Sequence, residues 1–543
     1  MSFGFSHRFS VDTFSRRIAP PPLGPMAEAA HAYYARDYDR AERCCLALIE
    51  QDARHFEALH LLGVVCLDRK QLADAVGYLT RAVRERPDDA RASYHLVTAL
   101  LGVKLYEQAE AALRRAVALR PDDAGALTNL GDALVGSKRH AEAIDCFHRA
   151  LTIDAGHAPA HFNLGRSLLA LDRLDAAVAS FHAALAHAPA DTDPDRLADV
   201  RGNLGQALVG LGRYDEALAT CQAMAGHRPQ VAAWNESLIL LLLGRYEEGW
   251  RQYEGRWGIA DHDPPRADAH VPELAEVGSQ RVLLTAEQGH GDMIQFARYA
   301  PRLAARGAQV TLQTYVELKA LMRTLDGVER VVAVGEREPP ADIVTPLLSL
   351  PLVFGTRLDN VPAQVPYLRA PAERLPVWQR RLGPRTRLRI GLAWWGSQHI
   401  PKRSLPIETL LPLLSCPGIE VHALQKEVPS AQCDRQPIDH SAELNDYADT
   451  AALISLLDLV VTIDTSVAHL AGALGKPVWI MLPHSADWRW LLDRDDSPWY
   501  PTARLFRQRR PGDWDGVVAD VVRALASLGR ASVVPTLPII RVP

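Results

Sequence analysis

Thr462-Ile-Asp-Thr-Ser-Val-Ala-His-Leu-Ala-Gly-Ala-Leu-Gly-Lys-Pro477 decides the fold of this chain. It overlaps Asp458-Leu-Val-Val-Thr-Ile463, an apolar run that reads as a buried strand, and it precedes another, Val478-Trp-Ile-Met481. Between them Asp464-Thr465-Ser466 opens a short helix, which Gly475-Lys476-Pro477 ends. A strand that feeds a helix N-terminus leaves several amide N–H groups without intrahelical partners. With the helix dipole behind them, these groups favour an anion, typically a phosphate. Asp464 or Thr465 also fits a plain N-cap, for which both residue types are preferred.

At 543 residues the chain is too long for one core, so roughly two to four domains are expected. Its 48% hydrophobic and 23% charged residues are ordinary for a soluble protein. A net charge of −5 argues against a nucleic-acid or anionic-membrane surface. The apolar run Leu238-Ile-Leu-Leu-Leu-Leu243 is too short to span a bilayer. Residues 1–25 carry Arg8, Arg16, Arg17 and three consecutive prolines without an apolar h-region, and read as a disordered leader rather than a signal peptide. Seven scattered Cys with no C-x-x-C spacing disfavour a zinc site or a disulfide framework, and a reducing cytoplasm fits them best.

Upstream, the chain repeats. Leu62-Gly63, Ala75, Leu79, Ala82 and Pro87 recur as Leu96-Val97, Ala109, Leu113, Ala116 and Pro121, and then as Leu130-Gly131, Ala143, Phe147 and Ala150. Further copies follow at Leu164-Gly165 and Leu204-Gly205, the last after an inserted Asp191-Thr-Asp-Pro-Asp-Arg196. The period and residue order resemble the tetratricopeptide repeat, in which small residues let paired helices approach and large ones fill the seam to the next pair. Asn129, Asn163, Asn203 and Asn235 precede the Leu-Gly position or its equivalent, and are expected to stack along the concave face. Each offers a donor and an acceptor suited to clamping an extended peptide backbone. The alternative is that Asn is simply common at this repeat position.

From about Arg281 the period changes. Strands are expected over 281–285, 309–313 and 330–334, with helices over 293–305 and 315–325 between them. After a Pro-rich, charged passage, a second series places strands at 388–394, 420–424, 458–463 and 478–481. Alternating βα units imply parallel sheets, and ligands of such sheets bind at the carboxyl ends of the strands.

Four stretches then carry a resemblance. Arg245-Tyr-Glu-Glu-Gly-Trp-Arg-Gln-Tyr-Glu-Gly-Arg-Trp257 looks like the junction of bacterial proteins that fuse tetratricopeptide repeats to a glycosyltransferase domain. Glu287-Gln-Gly-His-Gly-Asp-Met-Ile-Gln-Phe-Ala-Arg-Tyr299 and Trp394-Trp-Gly-Ser-Gln-His-Ile-Pro-Lys-Arg-Ser-Leu-Pro406, together with the opening stretch, resemble the heptosyltransferase-like (family 9) branch of GT-B glycosyltransferases. The layout is also similar to protein O-GlcNAc transferases and flagellin glycosyltransferases. The resemblance implies an α-helical solenoid followed by an α/β GT-B domain of two Rossmann-like halves with a cleft between them. Its expected boundaries are a solenoid over 26–260, a linker over 261–279, an acceptor-side half over 280–370, a linker over 371–388, a donor-side half over 389–530 and a tail over 531–543.

The same resemblance implies roles for particular residues. Asp292 is the candidate general base, a carboxylate that would take the proton of an attacking hydroxyl; an N-cap is the alternative. Glu287, Gln288, Gly289, His290 and Gly291 would form the acceptor-side loop, with His290 either assisting or solvated. Lys402 or Arg403 would stabilise charge on the leaving diphosphate, with Lys402 the better match. Asp464, Thr465, Ser466 and His469 would meet that diphosphate, Thr465 and His469 sharing a helix face. Ser466 stands where relatives often have Gly. Gln425 and Lys426 would contact the base or ribose. The Trp-rich loops at 487–490 and 495–500 would either wall a sugar pocket or pack on the sheet edge. Asp493 and Asp495 resemble a D-x-D pair, but no metal is expected. The implied activity is inverting transfer from a nucleotide sugar to an acceptor hydroxyl, on a protein recruited by the repeats. The alternatives are an inactive repeat scaffold, or a transferase acting on a surface-glycan or lipid-linked acceptor.

Overall fold

The computed structural model describes residues 24–259, 266–396, 401–427 and 435–531. The expected leader up to residue 23, the start of the 261–279 linker, the tail from 532 and positions 397–400 of the second loop motif lie outside them. The chain forms two compact units, Met1–Ala207 and Leu208–Pro543. Among the described residues no helix is long and apolar enough to cross a membrane.

The first unit is built of helix hairpins. Phe56–Asp68 pairs with Leu72–Glu85, Ala90–Gly102 with Tyr106–Leu119, Ala124–Gly136 with His140–Ile153, and Ala158–Ala170 with Leu174–Ala186. The repeat glycines have a steric cause. A Cβ on Gly63 would lie 2.5 Å from Leu79, one on Gly131 2.4 Å from Phe147, and one on Gly165 2.6 Å from Phe181. Those three side chains are fully buried. The first helix of each of these hairpins, and of the preceding pair Pro25–Tyr34 and Tyr38–Gln51, is followed by a left-handed residue: Arg36, Lys70, Lys104, Lys138 and Asp172. This marker recurs with the period of the sequence repeat, and after the inserted segment it reappears as Gly212.

The second unit holds helices Tyr214–Met224, Pro229–Leu242 and Tyr246–Tyr253 together with two parallel sheets. We number the strands β1 (Arg281–Thr285), β2 (Gln309–Thr314), β3 (Val328–Ala333), β4 (Ile343–Pro346), β5 (Leu388–Ala393), β6 (Ile419–Ala423), β7 (Leu459–Ile463), β8 (Val478–Leu482) and β9 (Ala503–Arg507). One sheet runs β3-β2-β1-β4 and the other β6-β5-β7-β8-β9. Strand order reverses between β1 and β4 and again between β5 and β7, and ligands of open α/β sheets bind in the crevice at such reversals. In register, Ala393 lies opposite Thr462, so the chain leaves β5 and β7 side by side.

Several elements differ from the sequence expectation for identifiable reasons. β4 is only four residues long and ends in Pro346, and β9 carries two Arg; neither shows a strand pattern. The expected helix over 293–305 starts earlier, at His290, and breaks into His290–Phe296 and Ala300–Ala304, where Pro301 has no N–H to continue it. The expected linker over 371–388 contains helix Leu375–Leu382, whose buried Trp378 donates to Asp449 Oδ1 at 3.3 Å.

A buried guanidinium ties the junction motif to the first sheet. Arg256 donates to Glu287 from Nε (2.8 Å) and Nη2 (3.2 Å), to Glu254 from Nη1 (2.7 Å) and to Ser349 Oγ (2.8 Å). Nearby, Tyr246, Trp250 and Tyr253 join Phe296, Trp488 and Trp499 in one aromatic cluster. The last helices of the helical array therefore share a core with the sheets.

Gly131→Ala and Gly77→Ala separate the two costs of a helical glycine. Gly77 is exposed, with nothing within 4 Å of its missing Cβ. Alanine there should stabilise by about 0.5–1 kcal/mol. At Gly131 overpacking against Phe147 outweighs that gain and should destabilise by about 1–2 kcal/mol. Thermal melts followed by far-UV circular dichroism should move in opposite directions; equal shifts would contradict the packing.

Candidate functional site

The chain leaving β1 is shaped before it reaches any ligand. Glu287 is held by Arg256, and its Oε1 also accepts from Leu348 N at 2.8 Å. Burial pushes its carboxyl up, against the pull of Arg256. Glu287 is therefore a brace, not an acceptor ligand. Gln288 turns through a left-handed conformation, with its carbonyl accepting from Tyr315 OH at 2.5 Å. Gly289 then caps helix His290–Phe296, its N–H donating to Asp292 Oδ2 at 2.9 Å. Asp292 thus sits at N3 and reaches back to the cap, as in half of a capping box. His290 opens the helix, and its side chain is partly exposed. Its ring stacks on Tyr447 (centroids 5.3 Å apart, 25° between planes), lies 5.1 Å from Tyr315, and its Nε2 is 3.4 Å from Glu317. Gly291 is where this loop meets the helix after β7: a Cβ there would lie 2.9 Å from the His469 ring and 3.5 Å from Ser466 Cα.

That helix spans Ser466–Ala473, with Thr465 as its N-cap. Among the described residues the Ser466 and Val467 amides have no acceptor, as the strand-to-helix joint predicts. The side chains behave otherwise than expected. The Thr465 hydroxyl lies 3.3 Å from Thr462 Oγ1, and its methyl is the nearest group to a Cβ built on Gly396, at 3.4 Å. Ser466 Oγ is 2.8 Å from Tyr447 OH. His469 is buried, with Nδ1 2.9 Å from Tyr500 OH and its ring stacked on Trp490 at 5.6 Å. Burial, reinforced by Arg489, keeps the imidazole neutral well below its usual pKa. Thr465 packs beside Gly396, while the His469 ring lies against Tyr500 and Trp490 with its Cδ2 edge toward the Gly291 backbone.

Asp464 is buried too, and its Oδ2 lies 3.2 Å from Arg403 Nη1. Burial raises its pKa and Arg403 opposes the shift. A carboxylate in that place repels a phosphate, so Asp464 holds the cation rather than the anion. Of the two basic residues in the loop, Arg403 is the one bound to Asp464, and Lys402 is exposed. Gln425 is also a brace. Its Oε1 accepts from the amides of Trp394 (2.9 Å) and Trp395 (3.1 Å), and its Nε2 donates to Glu427 O (2.9 Å). Lys426 beside it is exposed.

The central residue, Arg489, has no role among the sequence expectations. Asp487-Trp488-Arg489-Trp490 does not wall an open pocket, since both tryptophans are buried. Arg489 Nη2 donates to Asp292 Oδ1, Nη1 to Asp487 Oδ1 (2.9 Å) and Nε to Gln295 Oε1 (2.7 Å), and its guanidinium lies 4.3 Å over Trp488. Asp487 Oδ2 in turn lies 3.4 Å from Arg403 Nη2. A continuous alternation results: Asp292, Arg489, Asp487, Arg403, Asp464. Burial works against the charge on Arg489, but Asp487 and Asp292 hold its pKa above the ordinary value. Burial likewise opposes the charge of Asp487, which Arg489 and Arg403 nonetheless keep below the usual carboxylate range. The row runs from the end of β1 to the ends of β5 and β7, joining both strand-order reversals.

The asparagines are placed unequally. Asn163 is buried and accepts from Arg166 Nη1 at 3.4 Å. Asn203 donates to Asp199 O of its own helix at 2.8 Å, while Asn129 is half-buried. Asn235 belongs to the second unit and is half-buried there. Among the described residues no group of three His, Cys, Asp or Glu is arranged to hold a metal. A cavity of about 400 Å³, lined by residues including Asp495, Arg504, Asp520 and Arg523, includes none of the network residues.

Comparison with known proteins identifies the repeats. Tetratricopeptide-repeat family models match residues 26–90 and 94–158, and a second such model matches 134–198. The first unit is a tetratricopeptide-repeat solenoid. Protein FlbA of Caulobacter vibrioides is 29% identical over 336 residues, 53% of this chain and 54% of that protein. The chain thus spans about half the length of the curated relative it matches. Among solved structures, MamA is 27% identical, covering 29% of this chain and 93% of its own at a TM-score of 0.28. A thermophilic repeat protein of Thermus thermophilus, TTC0263, is 25% identical, covering 34% and 99%, at a TM-score of 0.30.

The buried His469 gives the second unit a pH dependence of known sign. Below about pH 6.5 the unfolded chain binds a proton that the folded state refuses. Its contribution to stability is therefore lost as pH falls from about 6.5, with a slope of at most about 1.4 kcal/mol per pH unit. His469→Gln should flatten this part of the urea-midpoint profile between pH 7.5 and 5.5; an unchanged slope would mean that the ring titrates normally.

Proposed function

We propose that the second unit is an inverting GT-B glycosyltransferase and that the tetratricopeptide solenoid recruits its acceptor, a protein. A nucleotide sugar lies at the ends of β5 and β7, with its diphosphate near Arg403, Lys402 and the Ser466 and Val467 amides. An acceptor hydroxyl meets Asp292. Its oxygen attacks the anomeric carbon, the bond to the diphosphate breaks, and Asp292 takes the proton. The cations and helix amides stabilise the charge that develops on the departing nucleoside diphosphate, so no metal is required. The single observation that carries this reading is the charged row from Asp292 to Asp464. It joins a base candidate at one sheet reversal to an anion-suited helix start at the other.

One observation favours a second reading, a binding scaffold without activity. Asp292 and Asp464 are already paired with arginines, which leaves less free charge for a ligand. Purified protein, a panel of nucleotide sugars and mass spectrometry of co-purified proteins decide between the two. Transfer appears as glycan mass additions, and Asp292→Asn should lower the rate about 10²–10⁴-fold. Wild-type rates in that variant would remove Asp292 as base. No transfer and no nucleotide-induced thermal shift would select the scaffold.

A further inference from the structure

We propose that Arg489 is a positioning residue that couples donor arrival to the release of the Asp292 carboxylate. The inference rests on the nucleotide-sugar reading above.

Each guanidinium nitrogen of Arg489 has an acceptor, and the three differ in kind. Buried Gln295 holds Nε, and part-buried Asp487, shared with Arg403, holds Nη1, which fixes the plane of the group. Only Nη2 reaches Asp292, the carboxylate that the reaction needs free. The opposite end of the row is similar. Arg403 is shared between Asp487 and Asp464, and its Nη1 also lies 3.4 Å from the Asp464 carbonyl, just before the helix start at Ser466. Counted as charged groups, the row has three carboxylates for two guanidinium cations.

A diphosphate arriving at that helix start adds further negative charge beside cations that are already shared. A diphosphate can take an arginine fork through two parallel bonds, whereas Asp292 meets Arg489 through a single oxygen. Arg403 and Arg489 are linked through the two oxygens of Asp487, so drawing either cation toward the diphosphate weakens the contact of Arg489 with Asp292. Asp292 then keeps its contact with the Gly289 amide, which maintains its aim, and regains Oδ1 as a proton acceptor. In the donor-free state Oδ1 is occupied by Arg489 Nη2.

Binding measurements test this without any assay of transfer. The probes are inorganic pyrophosphate, UDP, GDP, ADP and CDP, titrated calorimetrically into the full chain. If Asp292 competes for Arg489, Asp292→Asn should tighten binding of the accepted probe by about tenfold, the scale of one charge-assisted hydrogen bond. In an Arg489→Gln background the same change should alter affinity by less than about twofold. Simple repulsion between Asp292 and the ligand would instead give equal tightening in both backgrounds and would overturn the inference. Arg489→Lys supplies a second background that keeps the charge while losing the fork, should the Gln variant fail to fold; it too should reduce the tightening. Binding by wild type with no tightening in Asp292→Asn refutes the coupling alone. No binding of any probe to wild type removes the nucleotide-sugar reading and the coupling with it.

Discussion

A fully buried guanidinium is costly unless every donor finds an acceptor, and Arg256 meets that condition with Glu287, Glu254, Ser349 and a backbone carbonyl. The consequence extends well beyond stability. Fixing Glu287 fixes the first residues after β1, and with them the left-handed turn at Gln288, the Gly289 cap and the position of Asp292. The local geometry of the candidate base is thus set by a residue from the helical side of the junction. Removing one member of such a buried pair commonly costs about 3–5 kcal/mol, so the junction cannot be altered independently of the loop.

Much of this architecture was legible in the chain because it rests on period. Small residues at Gly63, Gly131 and Gly165 face large ones at Leu79, Phe147 and Phe181, and the pairing is both a sequence repeat and a steric contact. The strands β5, β7 and β8 read clearly because they are buried on both faces and nearly uniformly apolar. β4 and β9 escaped because neither is long or apolar enough to show a period.

The candidate site was legible as loops but not as side-chain roles. Sequence position placed Asp292, Arg403 and the Ser466 helix start correctly at strand ends. It could not show that Glu287 faces Arg256, that Gln425 braces two amides, or that His469 turns to Tyr500 and Trp490. Those outcomes depend on long-range partners. Arg489 was hidden for the same reason: its partners Asp292 and Gln295 lie some two hundred positions earlier in the chain.

The aromatic cluster at the junction has a spectroscopic corollary. All 11 tryptophans lie at or after Trp234, so the tetratricopeptide unit contains none. Trp250, Trp378, Trp394, Trp490 and Trp499 are fully buried in the second unit. Their emission therefore reports on the sheet-bearing unit alone, while helical ellipticity is weighted toward the repeats. One sample observed through both signals distinguishes melting of the solenoid from melting of the α/β body, with no label introduced into either.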